Sequence, residues 1–262
     1  MNALFLGYGR MGGALGSAWM NAGLIEHLCI VDPGIPPDHK EGRYERLSDA
    51  PDEPFDLIVL AVKPGYAVEA LAALSDRQCK RATLISVAAG VTQATLSAGV
   101  RKRCPVVRAM PNTPVFVGAG CTGMYAGDEL NDDQRRRVSQ LFEAVGMACW
   151  VDAQSQLDAI TAISGSGPAY YHLFSEALAQ AGVELGLAPD LARRLAAQTA
   201  LGAATLQQQP KADFAALRES VTSPNGTTAA AIEVFEADRK LRNLVADATS
   251  AANRRSEELS RT

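Results

Sequence analysis

Apolar residues in the first 150 positions gather into short, nearly unbroken runs separated by helix-length stretches. Ala3–Leu6, Leu28–Val31, Leu57–Val62, Leu84–Ala88, Val106–Ala109, Cys121–Tyr125 and Ala148–Val151 each predict a strand. The first five are hydrophobic almost throughout, as parallel strands covered on both faces must be. Met11–Leu24, Gly65–Leu74 and Asp132–Val145 predict helices between them. Strand alternating with helix argues for an α/β chain built on a Rossmann-type doubly wound sheet. Pro33–Pro54 carries five prolines and many charges, so it reads as an irregular crossover with one short strand near Tyr44–Leu47.

Beyond Val151 the strand signals stop. Ser155–Ile163, Ala169–Leu185, Pro189–Leu206, Phe214–Val221, Ala229–Glu236 and Arg239–Glu258 all predict helices, with Pro189 suited to a first turn. In the last of them Leu241, Leu244, Val245, Ala248 and Ala252 fall on one stripe. Residues 1–152 are therefore expected to form the dinucleotide-binding domain, and 153–262 an all-helical domain for substrate binding and dimerisation. A helical unit of about a hundred residues is marginal in core size and gains burial by pairing with another subunit.

Charge narrows the partners. The net charge is −4, which gives no basic footprint for nucleic acid or for an anionic membrane, so a small-molecule substrate is expected. The N-terminus lacks the basic and apolar regions of a secretory signal, and no window has eighteen consecutive apolar residues. Cys29, Cys79, Cys104, Cys121 and Cys149 are widely spaced and odd in number, which suits reduced thiols in the cytoplasm. His27, His39 and His172 show no metal-ligand spacing, and no metal is expected.

The candidate chemistry begins at Gly7-Tyr8-Gly9-Arg10-Met11-Gly12, a full GxGxxG directly after a strand and opening a helix. Gly7 permits the tight turn, Gly9 lets a pyrophosphate approach the backbone, and Gly12 lets helix and strand pack closely. The helix start offers free N–H groups and partial positive charge to phosphates. Asp32 ends the second strand twenty positions beyond Gly12. It either accepts from the adenosine ribose hydroxyls or caps the turn before Pro33. A carboxylate there repels a 2′-phosphate, so of NADH and NADPH the sequence favours NADH.

Ala61-Val62-Lys63-Pro64 ends the strongest strand, where ligands sit in open α/β sheets, and Lys63 reads either as a phosphate or substrate contact or as a solvated lysine. Ala88, Ala89 and Gly90 end the next with small residues that let a ribose lie against backbone. Arg108-Ala109-Met110-Pro111-Asn112-Thr113-Pro114 makes a loop after the strand that follows, its prolines rigid enough to fix the polar Asn112 and Thr113 near a bound nicotinamide ring. Ser164–Tyr170 opens a long helix, where its two glycines either serve a site or simply make a tight bend, and Ser223-Pro224-Asn225-Gly226-Thr227-Thr228 opens another, with free N–H groups and hydroxyls suited to a carboxylate or to an ordinary N-cap.

Taken together, GYGRMGGAL, AVKP, SVAAGV, VVRAMPNTP, SGSGPAY and VTSPNGTT resemble, in order and spacing along nearly the whole chain, the pyrroline-5-carboxylate reductase family. The resemblance implies reduction of 1-pyrroline-5-carboxylate to L-proline by hydride from NAD(P)H, the last step of proline synthesis, in a homodimer or larger homo-oligomer with sites formed between subunits. It implies that Gly7–Met11, Ala61–Pro64 and Ala88–Gly90 hold the dinucleotide. Ser223, Gly226, Thr227 and Thr228 would hold the substrate carboxylate and ring nitrogen, with Thr228 nearest the imine. Two departures stand out. Asn225 replaces the family's usual Gly, though Asn tolerates positive φ, and Asp32 stands where many NADPH-preferring relatives carry Asn, Arg or Ser. The competing enzyme reading is a β-hydroxyacid dehydrogenase, but the lysine that class places four residues after Gly167 is here Tyr171, and no lysine occurs between Lys102 and Lys211. A catalytically silent dinucleotide-binding scaffold is the third alternative.

Overall fold

The computed structural model describes residues 1–38, 40 and 42–261; His39 and Glu41, inside the expected crossover, and Thr262 lie outside the described residues. The chain packs as two compact units, Met1–Ser166 with Ala252–Thr262, and Gly167–Ala251. The border expected after residue 152 marks the end of the strand pattern; packing keeps 153–166 with the sheet.

In the first unit the order is β1 (Asn2–Leu6), α1 (Arg10–Asn21), β2 (His27–Val31), β3 (Arg43–Tyr44), β4 (Leu57–Leu60), α2 (Ala67–Ala72), α3 (Asp76–Cys79), β5 (Thr83–Ser86), α4 (Gln93–Gly99), β6 (Val106–Met110), β7 (Gly120–Ala126), α5 (Asp132–Glu143), β8 (Gly146–Trp150) and α6 (Gln156–Ile160). The sheet runs β3-β2-β1-β4-β5-β6-β7-β8. It is parallel from β3 to β6, whereas β7 runs antiparallel to β6 and β8 parallel to β7.

Period-two alternation divides its core. Leu4, Leu6, Ile58, Leu60, Leu84 and Val106 bury one face beneath Leu71 of α2 and Leu96 of α4. Ala3, Phe5, Leu57, Val59, Ile85 and Val107 bury the other beneath Leu15 and Trp19 of α1 and Leu141 and Phe142 of α5. Trp19 is fully buried, edge-on to Phe142 at 5.6 Å, and its indole N–H donates to the Leu141 carbonyl at 2.6 Å.

Three of the departures from the sequence expectation have a local cause. α4 was not foreseen: Gln93–Gly99 has one large apolar residue, Leu96, so no stripe announces it, and a cap at Thr92 starts it. The crossover strand is Arg43–Tyr44, because a 3-10 turn at Leu47–Asp49 takes the following residues out of the sheet. α1 stops at Asn21, short of Leu24, since Gly23 turns the chain at φ +69°.

The second unit is helical. α7 (Gly167–Glu184), α8 (Pro189–Gln207), α9 (Phe214–Ser220) and α10 (Thr227–Glu236) precede α11 (Lys240–Arg261), whose last turns belong to the first unit. Gly182 lets α7 approach α8, where a Cβ would lie 3.1 Å from that of Ala192. Only small residues such as Ala192 and Ala196 are buried there, while Leu173, Phe174, Leu178, Leu195, Leu201 and Phe235 are exposed. Apolar surface on this scale marks a protein-interaction face. No helix among the described residues is long and apolar enough to cross a membrane.

Candidate active site

From β1 the chain first builds β2 and β3 on one side, then returns to place β4 on the other. Such a reversal of strand order opens a crevice at the carboxyl ends of the strands. The GxGxxG turn lies at that point. Gly7 has φ +86°, and a Cβ there would sit 2.8 Å from the Ala61 carbonyl carbon and oxygen. At Gly12 a Cβ would sit 2.8 Å from the Gly7 oxygen. Gly9 differs: a Cβ would meet nothing within 4 Å, so its open side is free for a ligand. It is also the N-cap of α1 and makes no side-chain cap, leaving the first N–H groups of the helix as donors. Two close-packed glycines around one open one fit a dinucleotide pyrophosphate.

Tyr8 turns its ring inward, edge-on to Phe5 at 5.4 Å and over Gly16, where a Cβ would lie 2.6 Å from its hydroxyl. Its N–H donates to Asp32 Oδ2 at 2.6 Å, and Gly34 N–H donates to Asp32 Oδ1 at 2.7 Å. Asp32 thus clamps the glycine turn to the end of β2 and holds a carboxylate beside it. Arg10 points over the Phe116 ring at 5.7 Å. At the end of β4, Ala61 N–H donates to Leu6 and Pro64 begins a 3-10 turn at Pro64–Tyr66. Val62 packs on the core, whereas Lys63 is exposed.

After β5, Ala88 is buried, Ala89 exposed, and Gly90 has φ +76° with a virtual Cβ 2.8 Å from the Leu259 carbonyl oxygen. Only glycine fits there. These residues wall a cavity of about 200 Å³ closed by α6 and the last turns of α11. On the sheet face that carries Val106, the next position of β6 holds Arg108. Its side chain is 9% exposed and lines the cavity, and among the described residues its guanidinium makes no hydrogen bond or ion pair. Burial pulls its pKa below the ordinary value, opposed by the Asp158 carboxylate. Asp158 Oδ1 accepts from Ser256 Oγ at 2.6 Å. Asn112, expected to face a ligand, is buried and braces the chain instead: its amide donates to the Ser164 carbonyl at 2.9 Å and its Oδ1 accepts from Cys121 N–H at 2.8 Å. Thr161–Gly165 forms a π-turn ahead of α7.

The second unit carries the other group of expected residues. Asn225 has φ +59°, supporting the substitution of Asn for Gly, and Gly226 caps α10 with no side-chain bond. A Cβ at Gly226 would collide with Ser223 Oγ. Gly226 N–H donates to the Ser223 carbonyl and the Gly226 carbonyl accepts from Ala230 N–H, so among the described residues the N–H groups of Thr227, Thr228 and Ala229 at the helix start have no partner. Thr228 is half-buried and Thr227 exposed. His172 and Tyr171 are both exposed on α7. Sequence reasoning passed over Arg108 and Asp158; the available signal was a charge inside the apolar run VVRAM.

Residues 154–259 match a family model described as pyrroline-5-carboxylate reductase dimerisation, and 3–90 one described as NADP oxidoreductase, coenzyme F420-dependent. The chain is 40% identical to a pyrroline-5-carboxylate reductase of Pseudomonas aeruginosa over 97% of its own length and 95% of that protein's. It is also 40% identical to that of a Synechocystis species, covering 89% and 88%. A reductase structure from Coxiella burnetii superposes with TM-score 0.87 at 34% identity over 100% of this chain and 99% of that one. One from Plasmodium falciparum, with NADP bound, gives 0.85 at 29% over 99% and 98%. A relative this similar over almost the full length of both chains leaves one conclusion: the chain belongs to the pyrroline-5-carboxylate reductase family.

Proposed function

We propose a division of labour in which the first unit holds the dinucleotide and the second holds the substrate. The chain is an oxidoreductase of proline biosynthesis that reduces 1-pyrroline-5-carboxylate to L-proline with NAD(P)H. Gly7–Met11, Asp32, Ala61–Pro64 and Ala88–Gly90 hold the dinucleotide, supported by the open side of Gly9 and the free donors of α1. When bound, the reduced dinucleotide supplies the hydride.

Reducing a ketone requires an acid to neutralise a developing alkoxide. A protonated cyclic imine is already electrophilic and yields an amine, so the protein has mainly to orient it. The observation that carries our assignment is the start of α10: N–H groups unpaired among the described residues, beside the hydroxyls of Ser223, Thr227 and Thr228. Those N–H groups take the substrate carboxylate. The Thr228 hydroxyl bonds the ring nitrogen and holds its proton there.

Asp32 leads us to favour NADH over NADPH, because its carboxylate stands at the end of β2. The exposed leucines and phenylalanines of the second unit support a homodimer or larger assembly. The five free thiols suit the cytoplasm.

The test is turnover of 1-pyrroline-5-carboxylate, followed by near-ultraviolet absorbance with NADH and NADPH in parallel. Thr228→Ala should lower kcat/KM by about a hundredfold while dinucleotide affinity stays unchanged. Full turnover by that variant removes Thr228 from the site, and dinucleotide binding without turnover in the parent makes the chain a scaffold.

A further inference from the structure

Arg108 is nine-tenths buried, and its guanidinium, which makes no hydrogen bond or ion pair among the described residues, opens on a cavity of about 200 Å³. Such a group is costly to leave unpartnered, so something is expected to meet it when the protein works. The same cavity presents Asp158, whose Oδ1 is taken by Ser256 and whose Oδ2 carries no bond among the described residues. Arg255 also lines the cavity, but its guanidinium is paired with Glu258 at 2.8 Å. The charges left facing each other are those of Arg108 and Asp158, and their sum is zero. A full anion would gain from Arg108 but be repelled by Asp158, and a cation would meet the reverse. The chemistry that satisfies both is a neutral group with an acceptor and a donor on one carbon, a primary carboxamide. Ala88, Ala89 and Gly90 wall this cavity, and these are the residues that hold the dinucleotide in our reading.

We propose that Arg108 and Asp158 bind the carboxamide of the cofactor's nicotinamide ring, Arg108 donating to its oxygen and Asp158 accepting from its NH2. This rests on the dinucleotide assignment above and adds a purpose to it: the clamp fixes the rotation of the ring about its bond to the ribose, and so which face is turned outward. The surrounding hydroxyls and the Gly90 backbone then define a polar end to an otherwise apolar slot.

Calorimetric titration of the full chain with NADH and with ADP-ribose, which lacks the nicotinamide, separates the two ideas. Arg108→Met should weaken NADH binding by about tenfold or more and leave ADP-ribose affinity unchanged. Asp158→Asn should weaken NADH by about fivefold and leave unchanged the affinity for the reduced 3-acetylpyridine analogue, which has no NH2 to offer. If Arg108→Met does not fold, the Asp158→Asn pair of titrations decides. The proposal is overturned if Arg108→Met lowers NADH and ADP-ribose affinity equally, or if NADH binding holds while KM for 1-pyrroline-5-carboxylate rises, which would give the arginine to the substrate. Failure of the parent to bind ADP-ribose overturns the dinucleotide assignment itself, and this inference with it.

Discussion

Changing Asp32 to Asn tests what the carboxylate at the end of β2 does to cofactor choice. Its two oxygens accept from Tyr8 N–H at 2.6 Å and Gly34 N–H at 2.7 Å. Asn keeps one acceptor, so the amide oxygen stays with the less exposed Tyr8 N–H and the Gly34 N–H turns to water. The stability cost should be about 1 kcal/mol, because a neutral acceptor replaces a charged one and the second bond is solvent-exposed. The electrostatic effect is larger for one cofactor than for the other. A 2′-phosphate carries close to two negative charges, and at about 5 Å through water it is repelled by a carboxylate by about 1.7 kcal/mol. Salt screening trims this to a factor of about ten in NADPH affinity. NADH has no such charge and loses only part of a ribose hydrogen bond. Initial rates with both cofactors, at low and high ionic strength, should show kcat/KM for NADPH relative to NADH rising about tenfold in Asp32→Asn, with the parent's discrimination weakening as salt increases. An unchanged ratio, or a parent that already prefers NADPH at low salt, would refute the reasoning.

Gly9→Ala should fold with an unchanged melting temperature, since its Cβ meets nothing, yet lose at least tenfold in NADH affinity by calorimetry. Gly7→Ala should instead destabilise the apo protein by about 2 kcal/mol or more in denaturant titration, because its Cβ meets the Ala61 carbonyl at φ +86°. Trp19→Phe should cost about 2–3 kcal/mol, leaving the buried Leu141 carbonyl without its donor and a gap beside Phe142. Burial, aided by Glu53, pushes the Cys29 thiol up from 9.0 to about 12. The folded state therefore holds that proton more tightly than the unfolded chain: this contribution is whole below pH 9.0 and is lost as pH rises toward 12. Urea titrations across that alkaline range should show a falling stability that is shallower in Cys29→Ala.

The strands β1, β2, β4, β5 and β6 were legible because each is a nearly unbroken apolar run, and β1, β4 and β5, buried on both faces, needed no more than that. The glycine turn was legible for a different reason: three glycines, a strand and an acidic residue at fixed offsets express one geometric demand. α4 escaped because its sequence, QATLSAG, carries a single large apolar residue, and caps decide where it begins. The reversed direction of β7 escaped because apolar periodicity is the same in parallel and antiparallel strands. Asn112 was read as facing a ligand, but its amide can satisfy two backbone groups at once, and inside the protein that demand won. Arg108 and Asp158 lie fifty residues apart in the chain and acquire meaning only when β6 and α6 share one cavity wall.

Trp19 lies on the helix that begins at the glycine turn, nine residues from Arg10, which places its indole about 14 Å along the axis from the helix start. The chain has one other tryptophan, Trp150, set beneath Arg135 at 4.2 Å. Indole emission overlaps the absorption of a reduced nicotinamide, so an indole held rigidly on the helix that opens at the proposed dinucleotide site would pass excitation to a cofactor bound there. Under that assignment Trp19 would serve as an internal fluorescent reporter of occupancy, readable without any label and free of the turnover that complicates kinetic measurements.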